Sequence, residues 1–153
     1  MTDDEVLAKL AATFPKADKA ETQIKGILTL RAASGDDLVA LARWLKDKLG
    51  FDYLDMITAV DHVAERKAFE LVYCFTQLPA GQRVALKLET PDPGSVPSLT
   101  AVFPSADWQE REVFDLFGVR FQGHPDLRKI LTPDFLEGHP LRKDYVHAKD
   151  RFD

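Results

Sequence analysis

Ala68-Phe69-Glu70-Leu71-Val72-Tyr73-Cys74-Phe75-Thr76, followed by Arg83-Val84-Ala85-Leu86-Lys87-Leu88-Glu89, decides the fold. Large apolar residues alternate along both runs. Phe69, Leu71, Tyr73 and Phe75 share one side of the first, and Val84, Leu86 and Leu88 share one side of the second. Successive strand side chains point to opposite faces, so each run reads as a strand with one buried face. Gln77 to Gln82, with Pro79 and Gly81, is a hairpin loop between them. Upstream, Phe51 to Val60 is rich in aromatic and branched residues and reads as a third strand, with a polar turn from Asp61 to Lys67. A meander with one apolar side must bury that side, and helices are the economical cover.

The cover lies toward the N-terminus. Ser34 is placed to cap a helix whose first turn carries Asp36 and Asp37. Leu38, Leu41, Ala42, Leu45 and Leu49 form one stripe, Lys46 and Lys48 fall in the last turn, and Gly50 closes it. Trp44 falls at the edge of that stripe. Thr2 and Glu5 have capping-box spacing, and Val6, Leu7, Leu10 and Phe14 recur at helical spacing before Pro15. A first helix is therefore expected from Asp3 to Thr13. Thr22 to Ala32, with Ile24, Ile27, Leu28 and Leu30, reads as strand broken at Gly26 by a hairpin or bulge.

Beyond the sheet the signals change. Thr90 to Pro97 holds three prolines and a glycine and reads as a connector. Ser98 to Phe103 suits one helical turn. Ser105 is placed to cap a helix from Ala106 to Phe117 that Gly118 ends, and Val119 to Phe121 suits a short strand. The rest has no sustained period, yet it contains Leu127, Ile130, Leu131, Phe135, Leu141 and Tyr145. Long irregular segments are functional or disordered, and disordered ones are poor in such side chains. These residues therefore need a surface, of which a small body supplies only part. The expected architecture is α+β, with a mixed, largely antiparallel sheet of four to five strands. Residues 1–118 form the body and 119–153 an extended docking tail.

Composition bounds the function. At 153 residues the chain suits one domain, and 45% apolar content argues against global disorder. Residues 1–118 hold 13 Lys+Arg against 19 Asp+Glu, and residues 119–153 hold 7 against 6. That balance is poor for phosphate binding, so no nucleic-acid partner is expected. The single Cys74 supports neither an internal disulfide nor a thiolate-held iron–sulfur cluster; on an alternating strand it reads as packing. The start Met-Thr-Asp-Asp-Glu lacks a signal-peptide pattern, and no apolar run approaches membrane-spanning length. No dinucleotide, phosphate-loop or nucleophile-elbow motif occurs.

Glu110-Arg111-Glu112-Val113-Phe114-Asp115 is the densest polar cluster. Arg111 and Asp115 have the spacing of an ion pair on an exposed helix face. Glu112 and Asp115, with His124 and His139, also form the donor set of a small metal-dependent hydrolase. Each histidine sits in Gly-His-Pro, where the plainer reading is a sharp turn with the imidazole bonded to backbone or carboxylate. Trp108 opens the polar helix and is a candidate interface anchor.

These segments carry a resemblance. Pro97-Ser98-Leu99-Thr100, Ala106-Asp107-Trp108-Gln109-Glu110-Arg111-Glu112-Val113-Phe114-Asp115-Leu116-Phe117-Gly118-Val119, then Gly123-His124-Pro125-Asp126-Leu127-Arg128-Lys129-Ile130-Leu131 and Gly138-His139-Pro140-Leu141-Arg142-Lys143-Asp144-Tyr145 resemble the thirty-kilodalton subunit family of respiratory complex I, the proton-pumping NADH:quinone oxidoreductase. The family signature is met at every position from Glu110 to Ile130, and looser similarity covers most of the chain. Val146 departs from it, since the family often has proline there. The resemblance implies a non-redox docking subunit of the peripheral arm, on the cytoplasmic side of the membrane. It implies no cofactor in this chain, with NADH, FMN, iron–sulfur clusters and quinone bound by other subunits. The implied partners are the large subunit that forms the quinone site and the subunit that carries the terminal iron–sulfur cluster. Glu110, Arg111, Glu112 and Asp115 would fix the tail and the neighbour, with His124, Arg128, His139, Arg142 and Lys143 as the tail's anchors and Asp144 and Tyr145 completing the motif. Membrane-bound hydrogenases and plastoquinone- or deazaflavin (F420)-linked dehydrogenases have similar subunits.

Overall fold

The computed structural model describes residues 1–22 and 25–147. Helix α1 (Asp3–Thr13) opens with the expected capping box between Thr2 and Glu5. Strand β1 (Asp18–Lys19) pairs antiparallel with β2 (Leu28–Arg31) across a turn at Gly26. Of the run expected from Thr22 to Ala32, broken by a tight hairpin or a bulge, Leu28–Arg31 is strand after a turn at Gly26, and its antiparallel partner is the upstream Asp18–Lys19. The strand expectation at Ile24 lies outside the described residues.

Helix α2 (Gly35–Leu49) starts at Ser34, whose hydroxyl accepts the Asp37 N–H, and ends at Gly50 in the left-handed conformation. Its five stripe residues are all buried. Trp44 lies at the core edge, where its ring meets Phe14 edge-on at 5.6 Å. Strand β3 (Tyr53–Asp61) follows. The polar turn beyond it contains one short helix, α3 (Val63–Arg66), because the Asp61 carboxylate accepts the Val63 N–H at 2.8 Å. Strands β4 (Ala68–Gln77) and β5 (Gln82–Pro91) complete the meander.

The sheet order is β1-β2-β5-β4-β3, with β2 parallel to β5 and the other pairs antiparallel. Phe69, Leu71, Tyr73 and Phe75 face the core as the alternation requires. Cys74 is half-buried on the opposite face, whose β3 residues Met56 and Val60 are exposed. Burial and the neighbouring Asp55 carboxylate push the Cys74 thiol pKa up, against the opposing Arg83 charge, so it stays a thiol.

The expected connector before residue 98 is partly strand. Strand β6 (Ser95–Pro97) pairs in parallel with β7 (Arg120–Gln122), and the crossover between them contains α4 (Ala106–Phe117). Ser105 does not cap α4: its backbone is already helical and its hydroxyl makes no capping bond. Helix α4 lies against the β3 edge, where the Gln109 amide donates to the Leu54 carbonyl at 3.4 Å. An outer strand would otherwise present unpaired backbone there. No described helix is long and apolar enough to cross a membrane.

Candidate functional site

The polar helix α4 is the centre to which the rest of the C-terminal chain is fastened. Glu110 and Asp115 have no exposed surface, and Arg111 is 7% exposed. This overturns the expectation of an exposed, salt-bridged helix face. Buried carboxylates are tolerated only when their oxygens are hydrogen-bonded, and both acids meet that condition.

Glu110 accepts the Leu99 N–H at 2.6 Å and the Ser98 hydroxyl at 2.7 Å. It thereby satisfies the first donor of the single helical turn whose Leu99 carbonyl accepts from Val102 and Phe103. Burial pushes the Glu110 pKa above the ordinary carboxylate range, and the bonds from Ser98 and Leu99 offset part of that effect. Asp115 presents one oxygen to three consecutive backbone donors: Ile130 at 3.1 Å, Leu131 at 2.8 Å and Thr132 at 2.9 Å. Its other oxygen takes the Thr132 hydroxyl. Burial acts to raise the Asp115 pKa, but these four donors outweigh it and the carboxyl is held below its usual range. Arg111 therefore does not pair with Asp115. Its Nε–H donates to the Arg128 carbonyl at 3.3 Å, and its guanidinium lies 4.8 Å from the Trp108 ring centre.

The two Gly-His-Pro turns serve opposite ends of α4. His124 Nδ1 accepts the Asp126 N–H at 2.9 Å, so its proton sits on Nε2, which donates to the Asp107 carbonyl at 3.0 Å. At the other end a helix leaves its last carbonyls without intrahelical partners. Three of them are taken by the returning chain. The Asp115 carbonyl accepts from His139 Nδ1 at 2.8 Å, Leu116 accepts the Leu141 N–H at 3.0 Å, and Phe117 accepts from Arg142 at 3.4 Å. A cation at this end also suits the helix dipole. Gly118 is required for the same arrangement. Its φ is +80°, and a Cβ there would lie 2.7 Å from the His139 ring.

Arg142 grips two carboxylates at once. It holds Asp92 with two bonds of 2.9 and 2.7 Å and Asp144 with two of 2.8 and 2.9 Å. Hydrogen bonds to Asp92 and then to Asp144 hold its proton more firmly than in a free guanidinium, while the Asp144 carboxyl is held low chiefly by Arg142. The next residue, Lys143, donates its backbone N–H to buried Asp61 at 2.8 Å. Tyr145 is half-buried, with its ring 3.2 Å from where a Gly138 Cβ would stand.

Thus Glu110, Arg111, Asp115, His124, His139 and Arg142 are brought into one bonded system running along α4. Trp108, Glu112 and the Arg128 side chain are outside it on the surface: Trp108 is 61% exposed, Glu112 is exposed, and the Arg128 guanidinium pairs with Asp126. The four-residue metal set does not converge. Glu112 points outward, while His124 and His139 engage carbonyls eight residues apart on α4, about 12 Å along a helix. Among the described residues no group of three or more His, Cys, Asp or Glu is placed to hold a metal ion. The sequence reading missed Asp61, Asp92 and Thr132. Each is an unremarkable polar residue at a strand end or in a loop. Ser98 lies in Pro97-Ser98-Leu99-Thr100, where nothing local marks it as the partner of Glu110.

Residues 32–151 match the family model described as respiratory-chain NADH dehydrogenase, 30 Kd subunit. The chain belongs to this family. The match spans the meander β3, β4 and β5 and the fastened segment beyond Gly118. The chain is 45% identical over 144 residues to a subunit of the NADH-quinone oxidoreductase of Moorella thermoacetica, covering 93% of this chain and 94% of that one. It is 44% identical over 147 residues to the subunit of the same name from Rhizobium etli, covering 92% and 73%. Among solved structures, a chain of the membrane-bound sulfane sulfur reductase, an archaeal respiratory membrane complex, superposes with a TM-score of 0.80 at 27% identity. That superposition covers 98% of this chain and 94% of the other, so the family's fold, tail included, extends to an assembled membrane complex.

Proposed function

We propose that the chain is a non-catalytic docking subunit of the peripheral arm of a proton-translocating NADH:quinone oxidoreductase. The single observation that carries this reading is the family match across residues 32–151. The subunit holds its neighbours in fixed geometry while they transfer electrons from NADH to quinone. Its partners are the large quinone-site subunit and the subunit with the terminal iron–sulfur cluster, on the cytoplasmic side of the membrane. It binds no cofactor of its own. The polar system along α4 supports a structural role, because its carboxylates are already committed to donors within the chain. A buried carboxylate with both oxygens hydrogen-bonded within the chain is a fastener and not a free acid, base or ligand.

Deleting the chain from its host is expected to abolish NADH:quinone reduction. The full chain should restore it, and the chain ended at Gly118 should not. Full restoration by the truncated chain would sink the docking role of the tail. Purified alone, the protein should contain no iron or flavin; stoichiometric iron or flavin would overturn its place as a cofactor-free subunit.

The likeness to a sulfane sulfur reductase chain favours a second reading, an equivalent subunit in a related respiratory complex. The subunits that co-purify with the chain decide between them. An NADH-oxidising flavoprotein supports the first, and a hydrogenase, sulfur-reducing or deazaflavin-linked module supports the second.

A further inference from the structure

Pro133 to Gly138 is a six-residue excursion whose two ends return to one residue. Before it, Thr132 is bonded to the Asp115 carboxylate through its N–H and its hydroxyl. After it, His139 donates to the Asp115 carbonyl at 2.8 Å. Inside it, the Lys129 ammonium donates to the Leu136 carbonyl, and the Leu136 N–H donates to the Pro133 carbonyl at 3.0 Å. A loop closed at its neck and bonded across its interior is a compact surface loop of the Ω type. Its most exposed large side chain is Phe135, at 86%, and Leu131, just before the loop in sequence, is 63% exposed. Asp134 and Glu137 flank Phe135, are exposed, and join no ion pair among the described residues.

An exposed phenylalanine on a floppy tail is unremarkable. One held out by a fastened loop has already lost the freedom that binding would otherwise cost. Aromatic anchors of this kind dominate interface energy when they fill a desolvated pocket. The geometry points to Phe135 as a preformed plug that enters an apolar pocket on a neighbouring subunit of the oxidoreductase, with Lys or Arg side chains at the pocket rim to meet Asp134 and Glu137. The inference rests on the docking reading and adds the residue, the pocket chemistry and the state of the loop before binding. Asp115 of the signature and His139 then act at one remove. Asp115 and His139 place the loop, and Phe135 makes the contact.

The test is titration of the full chain onto the purified oxidoreductase assembled without it, at low and high salt. Phe135→Ala is expected to weaken association ~10-fold or more while leaving the unfolding midpoint of the isolated chain within about 1 °C. Phe135→Leu should recover part of the loss. Asp134→Lys with Glu137→Lys should weaken binding at low salt and remove its salt sensitivity. The proposal is overturned if Phe135→Ala binds like the unaltered chain, or if it lowers the unfolding midpoint in proportion to affinity. It is also overturned if the loss appears instead with Met56→Ser and Val60→Ser on the uncovered sheet face. Failure of the unaltered chain to bind the depleted complex would defeat the docking reading itself and not merely the assignment to Phe135.

Discussion

The sheet and the segment beyond Gly118 are held in opposite ways. The sheet is held by area: Leu71, Tyr73 and Phe75 have no exposed surface and belong to one apolar core with the stripe of α2. Among the described residues beyond Gly118 only Val119 and Phe121 are buried apolar side chains, both close in sequence to α4. It is held by polar bonds to particular atoms: the Asp115 carboxylate, three carbonyls at the end of α4, Asp92 and Asp61. Apolar burial is non-directional and tolerates exchange between similar shapes. A bonded carboxylate tolerates almost none, because its donors lose their partner inside the protein. One chain therefore contains a robust half and a half specified atom by atom.

Core deletion should have the largest effect. Phe75→Ala is expected to cost about 4 kcal/mol in denaturant unfolding, against about 1 kcal/mol for the softer Leu71→Met. Equal losses for the two would mean that the sheet is not held by area.

Asp115→Ala should cost about 3 kcal/mol, since it orphans three backbone donors at once. Here the contrast predicts that the near-isosteric Asp115→Asn recovers little, having one acceptor oxygen and no charge. The same residue sets an acid limit. Its folded pKa is lowered, so its stabilisation is full above the ordinary carboxylate pKa of about 4 and is lost as pH falls through the lowered value. Unfolding midpoints measured from neutral pH downward should drop less steeply in Asp115→Asn than in the unaltered chain. An identical slope would remove Asp115 from the acid response.

Arg142→Ala should cost about 2 kcal/mol, because its pair with Asp92 is only part-buried. Hydrogen exchange should rise at the Leu141 and Lys143 amides while the sheet amides stay protected. If sheet amides open equally, the two halves are one cooperative unit and the contrast is wrong. The smallest effect is expected at the N-terminal cap, where Thr2→Ala should cost about 1 kcal/mol.

The sequence made the first half legible because its signals are local. Alternation, stripe, cap and glycine stop lie within a few residues of each other. They gave α1 and α2 to the residue and the three central strands to within about two. The α4 bounds were legible too, but not the burial of its charges. Read locally, Glu110, Arg111 and Asp115 are a solvated face, and only donors from residues 98–99 and 130–132, with the Arg128 carbonyl as acceptor, make their burial tolerable. Of the β6–β7 pair, β7 was legible as the short strand expected at Val119–Phe121, but β6 was not, for the same reason. Ser95–Pro97 resembles a proline-rich connector until Arg120–Gln122 arrives beside it.

What the sequence determined by itself is the apolar framework and, through the spacing from Glu110 to Ile130, the family. The tertiary structure decided where each polar residue points. A hydrogen bond depends on the position of a partner far along the chain, which periodicity does not encode. Asp61, Asp92 and Thr132 carry no mark in the sequence, yet they fix the tail, and the fixed tail is what holds Phe135 out to solvent.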